Sequence, residues 1–440
     1  MERYDEYRDS GVEWIGEIPA GWELKRLKYL GSTRSGMGNK KPEDFGTGRP
    51  FLSYKDVYSR ESFLDATGLV ESTEDDCEKF SVRRGDAFFT GSSETIEELG
   101  FSSVCISTIP QATFNGFTIR FRPNGGELYP EFSKYLFRSE VFRGYLRQRD
   151  NSITRANLSQ QILGNAIVVL PSLRKQVTIA SYLDRETTRV DSLIADCERE
   201  VELLQEYRKA VISEAVTKGL DPNVPMKDSG IEWIGAIPVS WETARLDKIA
   251  VRKSGHTPDK KVPEYWDGDI VWVSLADSPA LRTNKYISTS TTMTTREGIA
   301  HSSAEVLPAG SVLLSRDASV GLTAIAGVPL AVSQHFMAYI CGDNLSNEYL
   351  RYVFLAMRQE FERLSMGSTI PTIGLPLVKQ FVIPYPLRKV QDAIVAYLDE
   401  KTTEIDALIA GYQSMADKLR EYRKSLISEA VTGKFKVPGV

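Results

Sequence analysis

Cysteine is scarce. Cys77, Cys105, Cys197 and Cys341 are the four in 440 residues, far apart and with no CxxC pair. This excludes a disulfide-stapled scaffold and a zinc ribbon, and suits reduced thiols in a cytosolic setting. The three histidines, His256, His301 and His335, stand alone, so no metal-ligand cluster can be read. No apolar run approaches the roughly eighteen residues of a membrane span, and the polar opening MERYDEYRDS does not read as a secretory signal. GxxxxGK[ST], GxGxxG after a strand, and the Asn/Asp-Pro-Pro-aromatic segment of amino-methyltransferases are all missing, as is a nuclease-like carboxylate cluster. ATP, dinucleotide and methyl-transfer chemistry are therefore expected elsewhere.

What the chain does have, it has twice. Residues 10–27 (SGVEWIGEIPAGWELKRL) return as residues 229–246 (SGIEWIGAIPVSWETARL), with twelve of eighteen positions identical. Residues 176–219 return as 391–434, with half of the forty-four positions identical. The stretches between share almost no side chains. A frame kept in duplicate around divergent inserts predicts two equivalent modules adapted to different targets, a domain duplication rather than a solenoid.

A net charge of −5 argues against a free-standing nucleic-acid binder. The way that charge is distributed points the other way. Residues 184–206 have a net charge of −5 and the equivalent 399–421 a net charge of −3, leaving the rest of the chain at about +3. Both acidic segments carry a helical seam. Leu183, Val190, Ile194, Cys197, Val201, Leu204, Arg208, Val211 and Ala215 recur at heptad spacing, and Leu398, Ile405, Ile409, Tyr412, Ala416, Leu419, Arg423, Leu426 and Ala430 repeat the pattern. The first helix is expected over about 173–218, a rod of roughly 65 Å at ~1.5 Å per residue. Such a rod needs a partner, and the other copy, antiparallel about a pseudo-twofold axis, is the nearest. The inserts would then lie at opposite ends of the pair. Arg208 and Arg423 interrupt the seam at equivalent places, as snorkelling side chains or as a polar layer fixing register. The tail TGKFKVPGV lacks the opening segment that follows the first helix, and MERYDEYRDSGVEWIG supplies it, so the termini are expected side by side.

Each insert reads as mixed α/β. Strand-like runs occur at 86–89, 117–121 and 167–170 in the first, and at 270–275, 312–314 and 336–340 in the second. Each has one helix-like segment, 130–148 and 347–364. Gly85 aligns with Gly310, Gly100-Phe101 with Gly321-Leu322, and Asn115-Gly116-Phe117 with Gln334-His335-Phe336.

Basic loops recur at matching places. Residues 31–50 carry Arg34, Lys40, Lys41 and Arg49, and residues 251–266 carry Arg252, Lys253, His256, Lys260, Lys261 and Trp266. Lys134, Arg138, Arg143, Arg147, Arg149 and Arg155 make residues 133–155 net +4. Such groups suit phosphate, while Arg, Asn, Gln and Ser suit base edges. Plainer readings hold for other features: Arg84-Gly85-Asp86 is a turn into a strand, the acidic run 71–78 a solvated loop, and Trp14, Trp22, Trp233 and Trp241 core anchors.

The order module, long helix, module, long helix, with the repeated W-I-G-x-I-P-x-x-W opening, resembles the specificity subunit of type I restriction-modification systems. Residues 170–194 and 385–409 look like the proximal ends of that family's conserved regions, and the likeness spans essentially the whole chain. The fold it implies is α+β: two mixed α/β target recognition domains joined by two long antiparallel coiled-coil helices in an internal pseudo-twofold duplication. The expected parts are recognition domain 1 (1–170), spacer helix 1 (171–219), recognition domain 2 (220–386) and spacer helix 2 (387–440). Each domain would read one half of a split, asymmetric double-stranded DNA target. The helices would set the gap and dock two methyltransferase subunits, which bring S-adenosylmethionine, while motor-nuclease subunits bring ATP and Mg. The chain itself would bind no cofactor and catalyse nothing.

The resemblance supplies no motif for base contacts, so these rest on composition and equivalent position. They are Arg34, Lys40, Lys41, Ser92, Asn115, Arg155 and Asn157 in the first insert, and Lys253, His256, Lys260, Lys261, Arg316, Gln334 and His335 in the second. Helix pairing is assigned to Leu183, Val190, Ile194, Val201 and Leu204 with Leu398, Ile405, Ile409, Leu419 and Leu426. A two-headed coiled-coil scaffold without nucleic acid is the competing reading; it explains the helices but not the matching basic loops.

Overall fold

The computed structural model describes residues 2–38, 40–149, 156–365 and 371–439. Contacts divide the chain into two units, Met1–Glu198 with Ser414–Val440, and Arg199–Gln413. Each unit therefore takes a part of both long helices, Leu173–Lys218 and Arg388–Thr432.

The two units repeat one topology. In the first, a five-stranded sheet runs in the order Gly31–Ser35, Thr118–Pro123, Ala87–Thr90, Ser102–Cys105, Ser62–Phe63. In the second the order is Ala250–Ser254, Phe336–Cys341, Val312–Ser315, Thr323–Ala326, Tyr286–Ile287. The last pair is parallel and the others antiparallel in both. The middle strands are buried along their whole length because both faces are covered. Strand alternation sends Ala87 and Phe89 into one core and Phe88 into another, and likewise Val312 and Leu314 into one and Leu313 into another. A three-stranded sheet accompanies each, built on Phe45–Leu52 or Trp266–Val273.

Register settles the internal alignment. Gly85 and Gly310 both have positive φ before the middle strand, as do Gly100 and Gly321 one strand later. The third pairing shifts by one residue. The chain lies so close at Gly36 and Gly255 that a Cβ would sit 2.2 Å from the Asn115 carbonyl oxygen and 2.0 Å from that of Ser333. Gly91 N–H donates to the Phe117 carbonyl, and Arg316 N–H to that of His335. Asn115 thus matches Ser333, and Phe117 matches His335, correcting the pairing of Asn115 with Gln334. The side chains there differ, so sequence alone had no identity to hold the frame.

Each single helix expected in the inserts is two. Pro130–Arg138 and Glu140–Gln148 break at Ser139, which is extended and caps the second helix by accepting from Phe142 N–H. Asn347–Ala356 and Arg358–Leu364 break at Met357. The acidic run expected as a loop holds a short helix, Glu74–Lys79, in which Thr73 and Asp76 cap each other.

The duplicated frame explains its own residues. Gly219 (φ +79°) abuts Trp241, where a Cβ would lie 3.1 Å from the indole. Gly433 (φ +72°) abuts Pro19 and Trp22 in the same way, at 2.6 and 3.0 Å. The tail therefore packs on the opening, and Lys434 Nζ donates to the Ile15 and Glu17 carbonyls at 2.6 Å. Trp22 and Trp241 are buried anchors, and Trp14 and Trp233 flank the same cores. Buried Gln176 accepts from Tyr129 N–H and donates to the Glu127 and Pro171 carbonyls; Gln391 does the same with Ser346, Asn344 and Pro386.

One carboxylate per unit ties insert to helix. Asp184 accepts from Tyr135 OH at 2.7 Å and pairs with Lys134 at 2.6 Å, while Tyr135 also meets Thr187. Asp399 accepts from Tyr352 OH at 2.6 Å and pairs with Lys285 at 2.7 Å, while Tyr352 meets Thr402. The lysines are not equivalent. Lys134 lies on a helix, whereas Lys285 precedes the strand Tyr286–Ile287.

Within each unit the helix segments run antiparallel. Ile179, Ala180 and Leu183 join Leu426, Ile427 and Ala430 in the first core, and Val211, Ile212 and Ala215 join Ile394, Val395 and Leu398 in the second. Of the residues expected to pair the helices, Leu183, Val190, Leu398, Ile405 and Leu426 are buried, and Ile194, Val201, Leu204, Ile409 and Leu419 half-buried. Each arginine makes a polar break in the seam of its own unit. Arg423 pairs with Asp191 at 2.8 Å and Glu61 at 2.9 Å, and Arg208 with Asp406 at 2.9 Å, so equivalent residues exchange partners between the helices.

Candidate nucleic-acid interface

Much of the positive charge proposed for DNA is already engaged by the fold. Lys134 is held by Asp184, and Arg138 donates to the carbonyls of Ser102, Val57, Tyr58 and Arg60. Arg138 and Arg143 both stack on Phe101, and Arg147 pairs with Glu140. Burial lowers the Arg143 guanidinium to about 10. These groups read as basic in sequence because i to i+4 spacing hides which face of a short helix they occupy.

The loop residues divide similarly. Lys40 donates to the Glu71 carbonyl at 2.7 Å, Lys253 pairs with Glu305 at 2.6 Å, and Arg34 reaches the Lys79 carbonyl at 3.2 Å. Arg316 is half-buried against the Gln334 and Ile373 carbonyls, 3.4 Å from Asp317. Lys41, Lys260, Lys261 and His256 are exposed. Asn115 is a turn residue whose Oδ1 accepts from Phe117 N–H at 2.7 Å. Ser92 and Asn157 face each other across a two-residue strand pairing, and Arg155 lies outside the described residues.

Three candidates meet in one cleft of about 520 Å³ in the second unit. Lys260, Gln334 and His335 share its walls with Trp266, Trp272 and Thr257. Trp266 and Trp272 pack edge to face at 5.0 Å. Thr257 Oγ1 donates to Gln334 Oε1, which orients the amide, and His335 Nδ1 lies 3.1 Å from Asp317. An oriented amide beside an imidazole can donate to and accept from a base edge, and lysine can meet phosphate.

The first unit has a cleft of about 480 Å³ between the segment after Phe45–Leu52 and the turn at Phe117, overlapping the other in position at Tyr54, Lys55 and Phe117, which match Leu275, Ala276 and His335. Its lining shares almost nothing with the other: Tyr54, Lys55, Tyr58, Ser92, Glu94, Glu98 and Phe117. The segment from Ser92 to Gly100 is four residues longer than its counterpart from Asp317 to Gly321, and it brings in the two glutamates. Glu98 accepts from Tyr58 OH at 2.6 Å, a bond that raises the phenol pKa. Sequence reasoning passed over Tyr54, Glu94 and Phe117 because it looked for basic and amide groups; the length difference was the signal that could have found Glu94.

The chain is thus a duplicated α/β protein whose two modules carry differently lined clefts, and comparison with known proteins places that architecture. Residues 238–411 match the type I restriction modification DNA specificity domain. The chain is 35% identical over 167 residues, 38% of each chain, to the type I restriction enzyme MjaIX specificity subunit of Methanocaldococcus jannaschii. It is 24% identical to the MjaX specificity subunit of that organism across 96% of both chains. In fold it is similar to a chain from a solved type I R-M system (TM-score 0.74, 16% identity, 94% of this chain and 99% of that one). It is also similar to the HsdS subunit of Thermoanaerobacter tengcongensis (TM-score 0.57, 16% identity, 97% and 99%). Residues 238–411 thus carry a type I restriction-modification DNA specificity domain, and the chain as a whole is similar to type I restriction enzyme specificity subunits.

Proposed function

We propose that each unit reads one half of a split, asymmetric double-stranded DNA target through its cleft, and that the two long helices fix the gap between the halves. The observation that carries this is the pair of clefts, overlapping in position and different in lining. Exposed Lys41, Lys260 and Lys261 supply phosphate contacts, while Gln334 and His335 touch base edges. The acidic helices face protein. Leu193 and its equivalent Leu408 are exposed, as are Tyr207 and its equivalent Tyr422. Exposed apolar side chains at equivalent places on both helices support docking of two methyltransferase subunits, with motor-nuclease subunits joining the complex. S-adenosylmethionine, ATP and Mg belong to those partners, and this chain contributes no catalytic group. No helix among the described residues is long and apolar enough to cross a membrane.

Replacing residues 31–169 by a foreign recognition domain tests the reading. Methylome sequencing of a host expressing the chimera with its methyltransferase should show one half-site changed and the other kept. A change in both halves would refute independent readers.

A further inference from the structure

The first cleft carries two side chains that phosphate cannot explain. Phe117 is 71% exposed at the tip of a turn held by Asn115, so the ring is presented rather than buried. Glu94 is exposed on the cleft wall and makes no ion pair or hydrogen bond among the described residues. A free carboxylate beside duplex DNA is repelled by the backbone, and an exocyclic amine on a base is the group in the groove that offsets that. Guanine shows two acceptors in the major groove, and adenine sets an acceptor beside its amine. Cytosine's own major-groove edge presents the N4 amine and no acceptor, so it suits a carboxylate best. For an exposed phenyl ring, the thymine methyl is the apolar group the groove offers. The second unit has His335 where the first has Phe117, and Ser319 where the longer loop places Glu94.

Resting on the proposal that each unit reads a half-site, we infer that the first unit's half-site contains a thymine seated against Phe117 and a cytosine whose N4 amine donates to Glu94. The pair gives that half-site a pyrimidine preference that the second unit lacks.

The test is selection from a random duplex library by the chain assembled with its methyltransferase subunits. Wild type should return a bipartite consensus. Glu94→Ala should relax one cytosine by roughly tenfold, and Glu94→Gln should shift that position toward adenine, which an amide reads through N6 and N7. Phe117→Ala should relax one thymine in the same half, with the other half unchanged. Deoxyuridine at that thymine should weaken wild-type binding about fourfold, the weight of one buried methyl, and should cost Phe117→Ala nothing further. The deoxyuridine arm uses the wild-type chain, so a misfolded variant cannot mask the result. A bipartite consensus with neither base sensitive overturns this inference alone, while a library without a bipartite consensus counts against the two-reader proposal itself.

Discussion

Arg208 and Arg423 are equivalent in sequence, yet replacing each by methionine should cost different amounts. Methionine keeps the length and apolar stem of the side chain, so the measured difference reports on charge. Arg208 answers one carboxylate, Asp406, whose side chain is 56% exposed. Exposed pairs of this kind contribute about 0.2–1 kcal/mol, and Arg208→Met is expected near the middle, about 0.5 kcal/mol. Arg423 is 22% exposed and lies between Asp191 and Glu61, the latter only 30% exposed. Its loss leaves a half-buried glutamate facing a second carboxylate without a cation. Breaking a fully buried pair costs about 3–5 kcal/mol; discounting for exposure gives about 2 kcal/mol for Arg423→Met. For a unit of this size, about 1 kcal/mol moves the midpoint by roughly 2–4 °C. Differential scanning calorimetry should therefore show one transition about 4–8 °C lower for Arg423→Met and a shift of about 1–2 °C for Arg208→Met. Adding Glu61→Gln to Arg423→Met should recover part of the loss, because the stranded charge is gone. Equal shifts for the two arginines, or no recovery with Glu61→Gln, would refute the argument.

Lys41→Ala, Lys260→Ala and Lys261→Ala should each weaken specific and random duplex binding alike and flatten the salt slope by about one unit, whereas Lys253→Ala, tied to Glu305, should leave the slope unchanged; a salt titration of the assembled complex separates them. Burial pushes the Cys105 and Cys341 thiols up to about 12, so thiolate is negligible at neutral pH. Native alkylation at pH 8 should spare both, with labelling gained only on unfolding, as read by peptide mass spectrometry. Gly219→Ala and Gly433→Ala combine a strained positive φ with a clash against Trp241 or Trp22, and each should cost at least about 1 kcal/mol; denaturant unfolding of either variant at wild-type stability would contradict the packing described.

The duplicated frame was the legible part. Heptad spacing and the repeated opening placed the first helix at its observed ends, and the glycine pairs marked equivalent turns because positive φ leaves few other residue types. The inserts were legible as mixed α/β but not in register, since Asn115 and Ser333 occupy the same turn with different side chains. Charge was the least transparent signal. Lys134, Arg138 and Arg143 look like a basic patch in one dimension, and only tertiary packing shows them spent on Asp184, backbone carbonyls and Phe101. Phe117 and Glu94 were invisible for the opposite reason, since neither is a residue type that backbone binding favours.

Asp184 and Asp399 offer the same socket, a carboxylate with a tyrosine hydroxyl and a threonine behind it, yet the lysine that enters comes from a helix in one unit and from a strand approach in the other. The socket demands a cation and is indifferent to its address in the insert. A grafted module must therefore bring the tyrosine, which both inserts carry on the equivalent helix, and one amine or guanidinium within reach of the aspartate from whatever element offers it. Chimeras could be screened for those two contacts before any are made, and a graft lacking only the cation could be rescued by one added lysine rather than by redrawing the junction.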